Sequence, residues 1–218
     1  MKKKIVIWGA SGHALVVSDI IRLRGEYEIA GFLDNLNPGR HKSEFCGSTI
    51  LGGPEELDDF KKKGISYIIF GFGDNNARIR LSRVAKEKGM KLAAAIHPKA
   101  VIAGDVLIGC GSVVCAGTVV NPGSSIGENT IINTSASIDH ECSIGEGAHI
   151  GPGVCLGGKV KIGKAAWICI GSTVKDGISV GAGSMIGAGS LVLDDIPSGV
   201  IAYGAPAKVV KEVEADAD

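Results

Sequence analysis

Residues 132–151 read INTSASIDHECSIGEGAHIG, and within this stretch every sixth residue is isoleucine. A six-residue period with small residues at fixed offsets is typical of a hexapeptide β-helix, in which each repeat supplies one short strand and one corner. The aliphatic side chain points into the prism, while glycine or asparagine tolerates the corner. The register continues unbroken from residue 96 to residue 192, so we expect three repeats per coil and no inserted loop. The residues in this register are Ile96, Ile102, Ile108, Val114, Val120, Ile126, Ile132, Ile138, Ile144, Ile150, Leu156, Ile162, Ile168, Val174, Val180, Ile186 and Val192.

The first 90 residues have a different pattern, in which strand-like apolar runs alternate with helix-like runs. Strands alternating with helices imply a small parallel sheet. We therefore predict an α/β, Rossmann-like domain over residues 1–90, a parallel β-helix over 91–196 and a tail over 197–218. Strands are expected at 4–9, 27–34 and 65–73, and helices at 11–25, 54–64 and 75–90.

The balance of charged residues limits the kinds of partner that the protein is expected to bind. The 218 residues carry 23 basic and 23 acidic side chains, so no basic field favours nucleic acid or an anionic membrane. The apolar run near the N-terminus is four residues long before Gly9, which predicts a strand and not a signal peptide. We expect a soluble, cytoplasmic protein with no membrane partner. The six cysteines form no CxxC pair, and we expect reduced, buried thiols.

Two histidines interrupt the plain repeat. His140 lies between Asp139 and Glu141, and His149 follows nine residues later, half of an eighteen-residue coil. The two rings should therefore leave from different sides of the prism, which makes a site between subunits geometrically natural. A neutral imidazole is a good general base near neutral pH, and a neighbouring carboxylate can fix its tautomer. The oxyanion of an acyl transfer would need a donor, either a backbone N–H or His149.

The first loop of the chain offers a second candidate site. The sequence GASGH at 9–13 joins the first strand to the first helix, whose N-terminus favours an anion such as pyrophosphate. An acid at the end of the second strand often meets a ribose hydroxyl, and FGFGD at 70–74 adds a second glycine turn. A mononucleotide-sized pocket is predicted, against the alternatives of a purely structural cap or a redox dinucleotide domain. Its candidate substrate-binding residues are Gly9, Ser11, Gly12, His13, Asp34, Asn35, Gly71 and Gly73.

With these motifs in this order, the chain resembles the group of sialic-acid O-acetyltransferases and bacterial nucleotide-sugar N-acetyltransferases. The resemblance covers nearly the whole chain and rests on the loop at 9–13, FLD at 32–34, the segment 132–141, His149 and GAPAK at 204–208. It implies a left-handed β-helix, a homotrimer with active sites between subunits, acetyl-CoA along the β-helix and a nucleotide-sugar in the N-terminal domain.

The resemblance also implies roles for individual residues. His140 matches the general base, Glu141 its orienting acid, and Asn133 and His149 polar residues of the same site. In the N-terminal domain, His13 matches a position near the sugar phosphates and Asp34 one near the nucleotide base. Positions that match the CoA-binding regions are His149, Gly157, Gly158, Gly204, Pro206, Ala207 and Lys208.

The hypothesis is an acetyl-CoA-dependent N-acetyltransferase acting on the C4 amine of a nucleotide-linked 4-amino-4,6-dideoxy sugar, with UDP favoured over GDP. A sugar O-acetyltransferase and a non-catalytic, nucleotide-sugar-binding trimer are alternatives. A third alternative is a zinc lyase resembling the gamma-class carbonic anhydrases, which bind zinc through three histidines. We expect no metal, because only two of the five histidines lie well within the β-helix; the five are His13, His41, His97, His140 and His149.

Overall fold

The computed structural model describes residues 2–60 and 62–214. The chain forms two compact units. The first comprises Met1–Pro98 and Cys110–Val113, and the second comprises Lys99–Gly109 and Val114–Asp218.

The first unit is a six-stranded sheet with helices, in the strand order β3-β4-β2-β1-β5-β6. All its strand pairs are parallel except β3 with β4. The helices are α1 (Gly12–Arg24), α2 (Leu57–Phe60) and α3 (Asn75–Glu87), with 3-10 turns at Pro38–Arg40 and Pro54–Glu56. The strands are β1 (Lys3–Trp8), β2 (Tyr27–Leu33), β3 (Glu44–Phe45), β4 (Ser48–Gly52), β5 (Ile65–Phe70) and β6 (Lys91–Leu92), and a further strand of this unit outside that sheet is β7 (Ala95–Ile96).

The central strand and the ends of the helices follow directly from local sequence. In β1 the four residues from Ile5 to Trp8 are all buried, as expected for a parallel strand covered on both faces. Helix α1 ends where Gly25 adopts a left-handed conformation, with φ 69°, and its N–H donates to the Ile21 carbonyl. Helix α3 begins after Asp74, whose carboxylate accepts a hydrogen bond from the Ala77 N–H at 2.8 Å. Loops follow the carboxyl ends of β1, β2 and β5, and those after β1 and β5 lead into α1 and α3.

The predicted helix over 54–64 is wrong in its second half. The segment is a 3-10 turn followed by the four-residue α2, and residue 61 lies outside the described residues. Only Leu57 and Phe60 bury apolar side chains in the described part of this segment, and the described residues that follow, 62–64, are exposed. The prediction also missed β3 and β4, because residues 35–53 show no clear period, and it missed β6, which is two residues long.

The second unit is a left-handed parallel β-helix, and the predicted register is confirmed. Each repeat forms a two-residue strand whose second residue is the inward aliphatic one, and no loop interrupts the series. The strands are β8 (Val101–Ile102), β9 (Leu107–Ile108), β10 (Val113–Val114), β11 (Val119–Val120), β12 (Ser125–Ile126), β13 (Ile131–Ile132), β14 (Ser137–Ile138), β15 (Ser143–Ile144), β16 (His149–Ile150), β17 (Cys155–Leu156), β18 (Lys161–Ile162), β19 (Trp167–Ile168), β20 (Thr173–Val174), β21 (Ser179–Val180), β22 (Met185–Ile186) and β23 (Leu191–Val192).

Residues eighteen apart pair across successive coils and build three sheets. Val119 pairs with Ser137, and Ser137 pairs in turn with Cys155. The inward side chains from Val114 to Val192 are all buried, whereas Ile102 and Ile108 are only partly buried at the start of the column. The strands of the hexapeptide repeats follow one another in the orders β22-β19-β16-β13-β10, β23-β20-β17-β14-β11-β8 and β21-β18-β15-β12-β9.

The tail after residue 199 leaves the period and forms an antiparallel hairpin. Its strands are β24 (Val200–Gly204), which pairs in parallel with β22, and β25 (Ala207–Glu212). The peptide bond between Ala205 and Pro206 is cis and lies in the turn. Residues 215–218 of the predicted tail lie outside the described residues.

All six cysteines are free thiols, but their predicted burial holds only in part. Cys115 and Cys142 are buried, and burial raises the pKa of the Cys115 thiol to about 11. The remaining four are partly or fully exposed: Cys46, Cys110, Cys155 and Cys169. Among the residues the structure describes, no helix has the length and apolar character needed to cross a bilayer.

Candidate active site

The corner after β14 carries His140. The backbone N–H of His140 donates to Asp139 Oδ1 at 2.7 Å, and the Asn121 amide from the preceding coil donates to the same oxygen at 2.9 Å. The hydrogen bond from Asn121, and then that from the His140 N–H, holds the pKa of the Asp139 carboxyl below its usual value. Asp139 therefore stays ionised and fixes the main chain from which the His140 ring projects.

The imidazole of His140 is paired with the next residue. Nδ1 of His140 lies 3.0 Å from Glu141 Oε2, and both side chains are about half exposed. Lys159 Nζ lies 3.8 Å from the same Glu141 oxygen. Glu141 adopts a left-handed backbone, with φ 58°, at a corner position where glycine is common in this chain. With the proton of the neutral ring on Nδ1 and facing Glu141, Nε2 is left as the basic nitrogen.

A surface cavity of about 310 Å³ opens beside this ring, lined by His140, Gly158, Lys159, Asp176 and Gly177. The Gly158 N–H donates to Asp176 Oδ1 at 3.2 Å. Of these residues only His140 and Gly158 were predicted. The other lining residues could have been predicted from the eighteen-residue length of a coil. Residues 158 and 176 lie one and two coils beyond His140, and residues 159 and 177 lie one and two coils beyond Glu141.

His149 and Asn133 form a second polar pair on a different part of the prism. His149 is in β16 and is 8 % exposed, and its Nε2 lies 3.3 Å from Asn133 Nδ2. Asn133 Oδ1 accepts the Thr134 N–H at 2.8 Å, so the amide must present its N–H groups to His149. His149 Nε2 is therefore an acceptor, and the neutral ring carries its proton on Nδ1.

The ring of His149 stacks on Trp167, with centroids 5.5 Å apart and planes within 5° of parallel. Trp167 was missed by the sequence prediction, although it pairs with His149 one coil on. The stack and the amide together hold the ring in one orientation. His149 stands on a strand of one sheet and His140 in a corner after another, as the spacing of nine residues predicts.

In the first unit, a cavity of about 300 Å³ lies at the ends of β1 and β2. Four predicted residues line it: Gly9, Ser11, Asp34 and Asn35. Sequence analysis did not predict the apolar and charged residues that line the rest of this cavity, because they form no recognisable sequence motif. The missed lining residues are Trp8, Ala10, Leu36, Asn37, Arg40, Phe72, Asp74, Ala77, Arg80 and Leu81.

The acid at the end of β2 organises the loop that follows it. Asp34 is buried, and its Oδ1 accepts hydrogen bonds from the backbone N–H groups of Leu36 and Asn37, both at 3.1 Å. Arg40 Nη1 lies 3.4 Å from Asp34 Oδ2 and donates to the Ala10 carbonyl at 2.8 Å. Asp34 therefore ties the 34–40 loop to the loop after β1, at the wall of the cavity.

Four other predicted residues of this unit lie outside the cavity lining: Gly12, His13, Gly71 and Gly73. Gly71 is a packing residue, because a Cβ there would lie 2.8 Å from the Ala14 Cβ and 2.9 Å from Ile7. The Gly73 carbonyl accepts a hydrogen bond from Arg78 Nη1 at 2.7 Å.

His13 is held as a neutral ring. Burial, and secondly the Arg78 charge, lowers its pKa to about 4, and no described residue forms a hydrogen bond with its Nε2. His13 is therefore suited to accept or donate a hydrogen bond as a neutral group but not to serve as a cation at neutral pH.

The predicted CoA-binding positions are spread over three places in the second unit, one of which is His149 in β16. Gly157 and Gly158 follow β17 and adjoin Asp176 and His140. The others form the turn of the tail hairpin: Gly204, Pro206, Ala207 and Lys208. Lys208 is largely exposed and its Nζ lies 3.6 Å from Asp194. Across residues 2–60 and 62–214, no three His, Cys, Asp or Glu side chains are grouped so as to hold a metal ion.

Comparisons with known proteins give matches over both units. Residues 4–85 match the PglD N-terminal domain, and residues 123–158 match the bacterial transferase hexapeptide model of six repeats. A search of curated proteins gave no match.

Among solved structures, PerB from Caulobacter crescentus, in complex with CoA and GDP-perosamine, is 38% identical with a TM-score of 0.90, covering 95% of this chain and 97% of its own. The acetyltransferase domain of PglB from Neisseria gonorrhoeae FA1090, in complex with acetyl coenzyme A, is 34% identical with a TM-score of 0.89, covering 96% and 100%. WeeI from Acinetobacter baumannii AYE is 25% identical with a TM-score of 0.84, covering 94% and 99%.

Proposed function

The chain belongs to the hexapeptide-repeat acetyltransferases of nucleotide-linked amino sugars that carry a PglD-type N-terminal domain, and from this membership we propose its acceptor and its base. It is an acetyl-CoA-dependent acyltransferase that forms an amide on an amino sugar. The proposed acceptor is the C4 amine of a nucleotide-linked 4-amino-4,6-dideoxy sugar. The main observation in support of this proposal is the His140–Glu141 pair, which leaves Nε2 of His140 as a basic nitrogen beside an open cavity.

His140 acts as the general base in this proposal. Its Nε2 removes a proton from the amine as the amine nitrogen bonds to the thioester carbonyl carbon. The C–S bond then breaks, and the imidazolium returns its proton to the departing thiolate, so that the products are an acetamide and a free thiol. Glu141 keeps the Nδ1 proton in place and stabilises the charged ring.

Acetyl-CoA supplies the thioester as co-substrate, and the residues beside His140 are compatible with it. The cavity of about 310 Å³ is open to the surface, and its lining of two glycines with the polar side chains of Lys159 and Asp176 leaves room for the uncharged, amide-bearing arm that ends in the thioester. We propose that Gly157, Gly158 and the turn at 204–208 line the path of CoA, and that Asn133 and His149 contact the reacting groups.

The first unit is proposed to hold the nucleotide. Ser11 precedes α1 and its side chain makes no capping hydrogen bond, and a Cβ on Gly12 would meet nothing within 4 Å. The N-terminus of this 13-residue helix therefore has room for a diphosphate. The aromatic walls Trp8 and Phe72 suit a base, and the guanidinium groups of Arg40 and Arg80 suit phosphate.

The nucleotide and the assembly complete the proposal. Sequence analysis favoured UDP over GDP; PerB, at 38% identity, is bound to GDP-perosamine, so both nucleotides are carried forward as candidates. We propose a homotrimer with sites between subunits, located in the cytoplasm where acetyl-CoA is available. The functional divisions proposed are 1–90 for the nucleotide-sugar, 91–196 for acetyl transfer and 197–218 for the CoA site.

The test is a thiol-release assay with acetyl-CoA and a matched panel of UDP- and GDP-linked sugars, with mass detection of the product. The panel pairs each 4-amino-4,6-dideoxy sugar with its 4-hydroxy counterpart. We expect acetylation of a 4-amino sugar and little thiol release with the hydroxy counterpart. Turnover of the hydroxy sugars alone would contradict N-acetylation at C4, and no turnover on any 4-amino sugar would contradict the proposed acceptor class.

A further inference from the structure

The position two residues after each inward aliphatic residue is the one that carries His140, and it is rarely glycine. From Pro98 to Asp194 this position holds seventeen residues, and only Gly104 and Gly158 among them are glycine. Neither has a left-handed backbone, so no corner geometry requires glycine at either place. Gly158 lies one coil beyond His140, and the Lys159 N–H next to it donates to the His140 carbonyl at 2.8 Å.

The space that a side chain on residue 158 would fill is already occupied. A Cβ built on Gly158 would lie 2.7 Å from both Cε1 and Nε2 of His140 and 3.3 Å from its Cδ2. All three atoms belong to the imidazole ring, and two of them lie closer than van der Waals contact allows. This differs from the glycines one position earlier in the repeat, such as Gly127 and Gly145, where an added Cβ would meet the backbone of the next coil.

We propose that Gly158 is a positioning residue for His140: its missing Cβ leaves the space in which the ring lies while Nδ1 faces Glu141. This inference rests on the proposed function. A methyl group at residue 158 pushes the ring away, since the three atoms nearest to it all belong to His140. Because the His140 side chain is about half exposed, it can swing outward, and the fold need not change. The expected damage is thus to the placement of the base and not to stability.

The test compares Gly158→Ala with Gly104→Ala. Gly104 occupies the same repeat position in the same unit, and a Cβ there would meet nothing within 4 Å. We expect Gly158→Ala to lower kcat on the order of 100-fold, the scale for a reacting group misplaced by about 1 Å. The KM for the amino-sugar substrate and the melting temperature should stay close to those of the unaltered enzyme. Gly104→Ala should change none of these quantities.

A double-mutant cycle shows whether the methyl group of Gly158→Ala acts by displacing the His140 ring or by disturbing the binding of CoA. In the His140→Ala background there is no ring to displace, so adding Gly158→Ala should lower kcat no further. An equal loss in both backgrounds would overturn the inference, since it would mean that the methyl group acts elsewhere. Full kcat in Gly158→Ala would also overturn it.

The same cycle distinguishes this inference from the proposed function. If His140→Ala alone leaves kcat unchanged, His140 is not the base, and both proposals fail. If His140→Ala lowers kcat and Gly158→Ala does not, only the role of Gly158 fails.

Discussion

At the scale of single residues, Glu141 pairs with the proposed base His140 from a backbone conformation that is unfavourable for a residue other than glycine. It adopts φ 58° at a corner position where many repeats of this chain use glycine. A side chain in this region is disfavoured by about 1 kcal/mol relative to glycine. Its carboxylate contacts Nδ1 of His140, so the strained position is the one from which a side chain can reach that ring.

Replacing Glu141 by glycine should therefore separate stability from activity. We expect Glu141→Gly to raise the free energy of unfolding by up to about 1 kcal/mol through relief of the left-handed backbone. The same change should lower kcat by roughly one to two orders of magnitude, because the base loses its orienting acid. Chemical denaturation and steady-state kinetics measure the two effects.

Ser135 provides the matched control, since it has φ 57° at the equivalent corner of the preceding repeat. Ser135→Gly should raise stability in the same way and leave kcat unaltered. A Glu141→Gly enzyme with full kcat would contradict the orienting role of the carboxylate.

His13 predicts a pH dependence of stability. Its pKa falls from 6.5 in the unfolded chain to about 4 in the folded one, with burial as the first cause. Between these values the unfolded chain binds the extra proton, so stability is fully present above pH 6.5 and is lost as the pH falls towards 4. The loss attributable to this ring amounts to at most about 3 kcal/mol.

The variant His13→Gln removes this titration while keeping a polar, neutral side chain. The stability difference between the unaltered protein and His13→Gln should change across this pH window and be constant above it. Urea unfolding at several pH values measures it, and a difference that does not vary with pH would contradict the neutral, buried state of His13.

At the scale of elements, the aliphatic column carries the β-helix. Ile150 is fully buried in the middle of the column, whereas Ile102 is partly exposed at its start. We expect Ile150→Ala to cost roughly 2–5 kcal/mol of unfolding free energy, the usual range for such a cavity. Ile102→Ala should cost less than half as much, as measured by the same denaturation experiment. Equal losses would contradict the graded burial along the column.

The elements differ in how far they could be predicted. The six-residue period predicts the position of every strand in the hexapeptide repeats, because each inward residue must be aliphatic for the coils to stack. No comparable rule covers residues 35–53, where β4 joins the sheet by pairing with β2, as in Phe32 with Ile50, and β3 pairs with β4 across a short turn. The tail hairpin was identified only as a break in the period, since its strands pair with β22 and with each other and not in the hexapeptide register.

The candidate site was likewise predictable only where a residue departs from its repeat. His140, Glu141 and His149 stand out as bulky polar residues among small ones. Lys159 and Asp176 do not, because charged residues are common at the corners, and only the stacking of coils brings them to His140. Trp8, Phe72 and Arg40 meet at the first cavity through the sheet order and not through any local motif.

At the scale of the whole molecule, the two units present complementary chemistry. The first has a cavity lined by aromatic side chains and two arginines, beside the start of α1, and it suits a nucleoside diphosphate. The second has the proposed general base in a corner of the β-helix, with a glycine beside it. Acetyl transfer to a nucleotide-linked amino sugar requires both, and the chain has the fold of enzymes of that class over nearly its whole length.

The most direct test of this account is the rate of acetyl transfer by His140→Ala on the amino-sugar nucleotide that the unaltered enzyme uses best. Saturating both substrates and following thiol release isolates the chemical role of the ring. The account predicts that kcat falls by at least about 100-fold while the melting temperature is retained, because a half-exposed corner residue is removed and a general base is lost. An unchanged kcat in a folded His140→Ala enzyme would contradict the account.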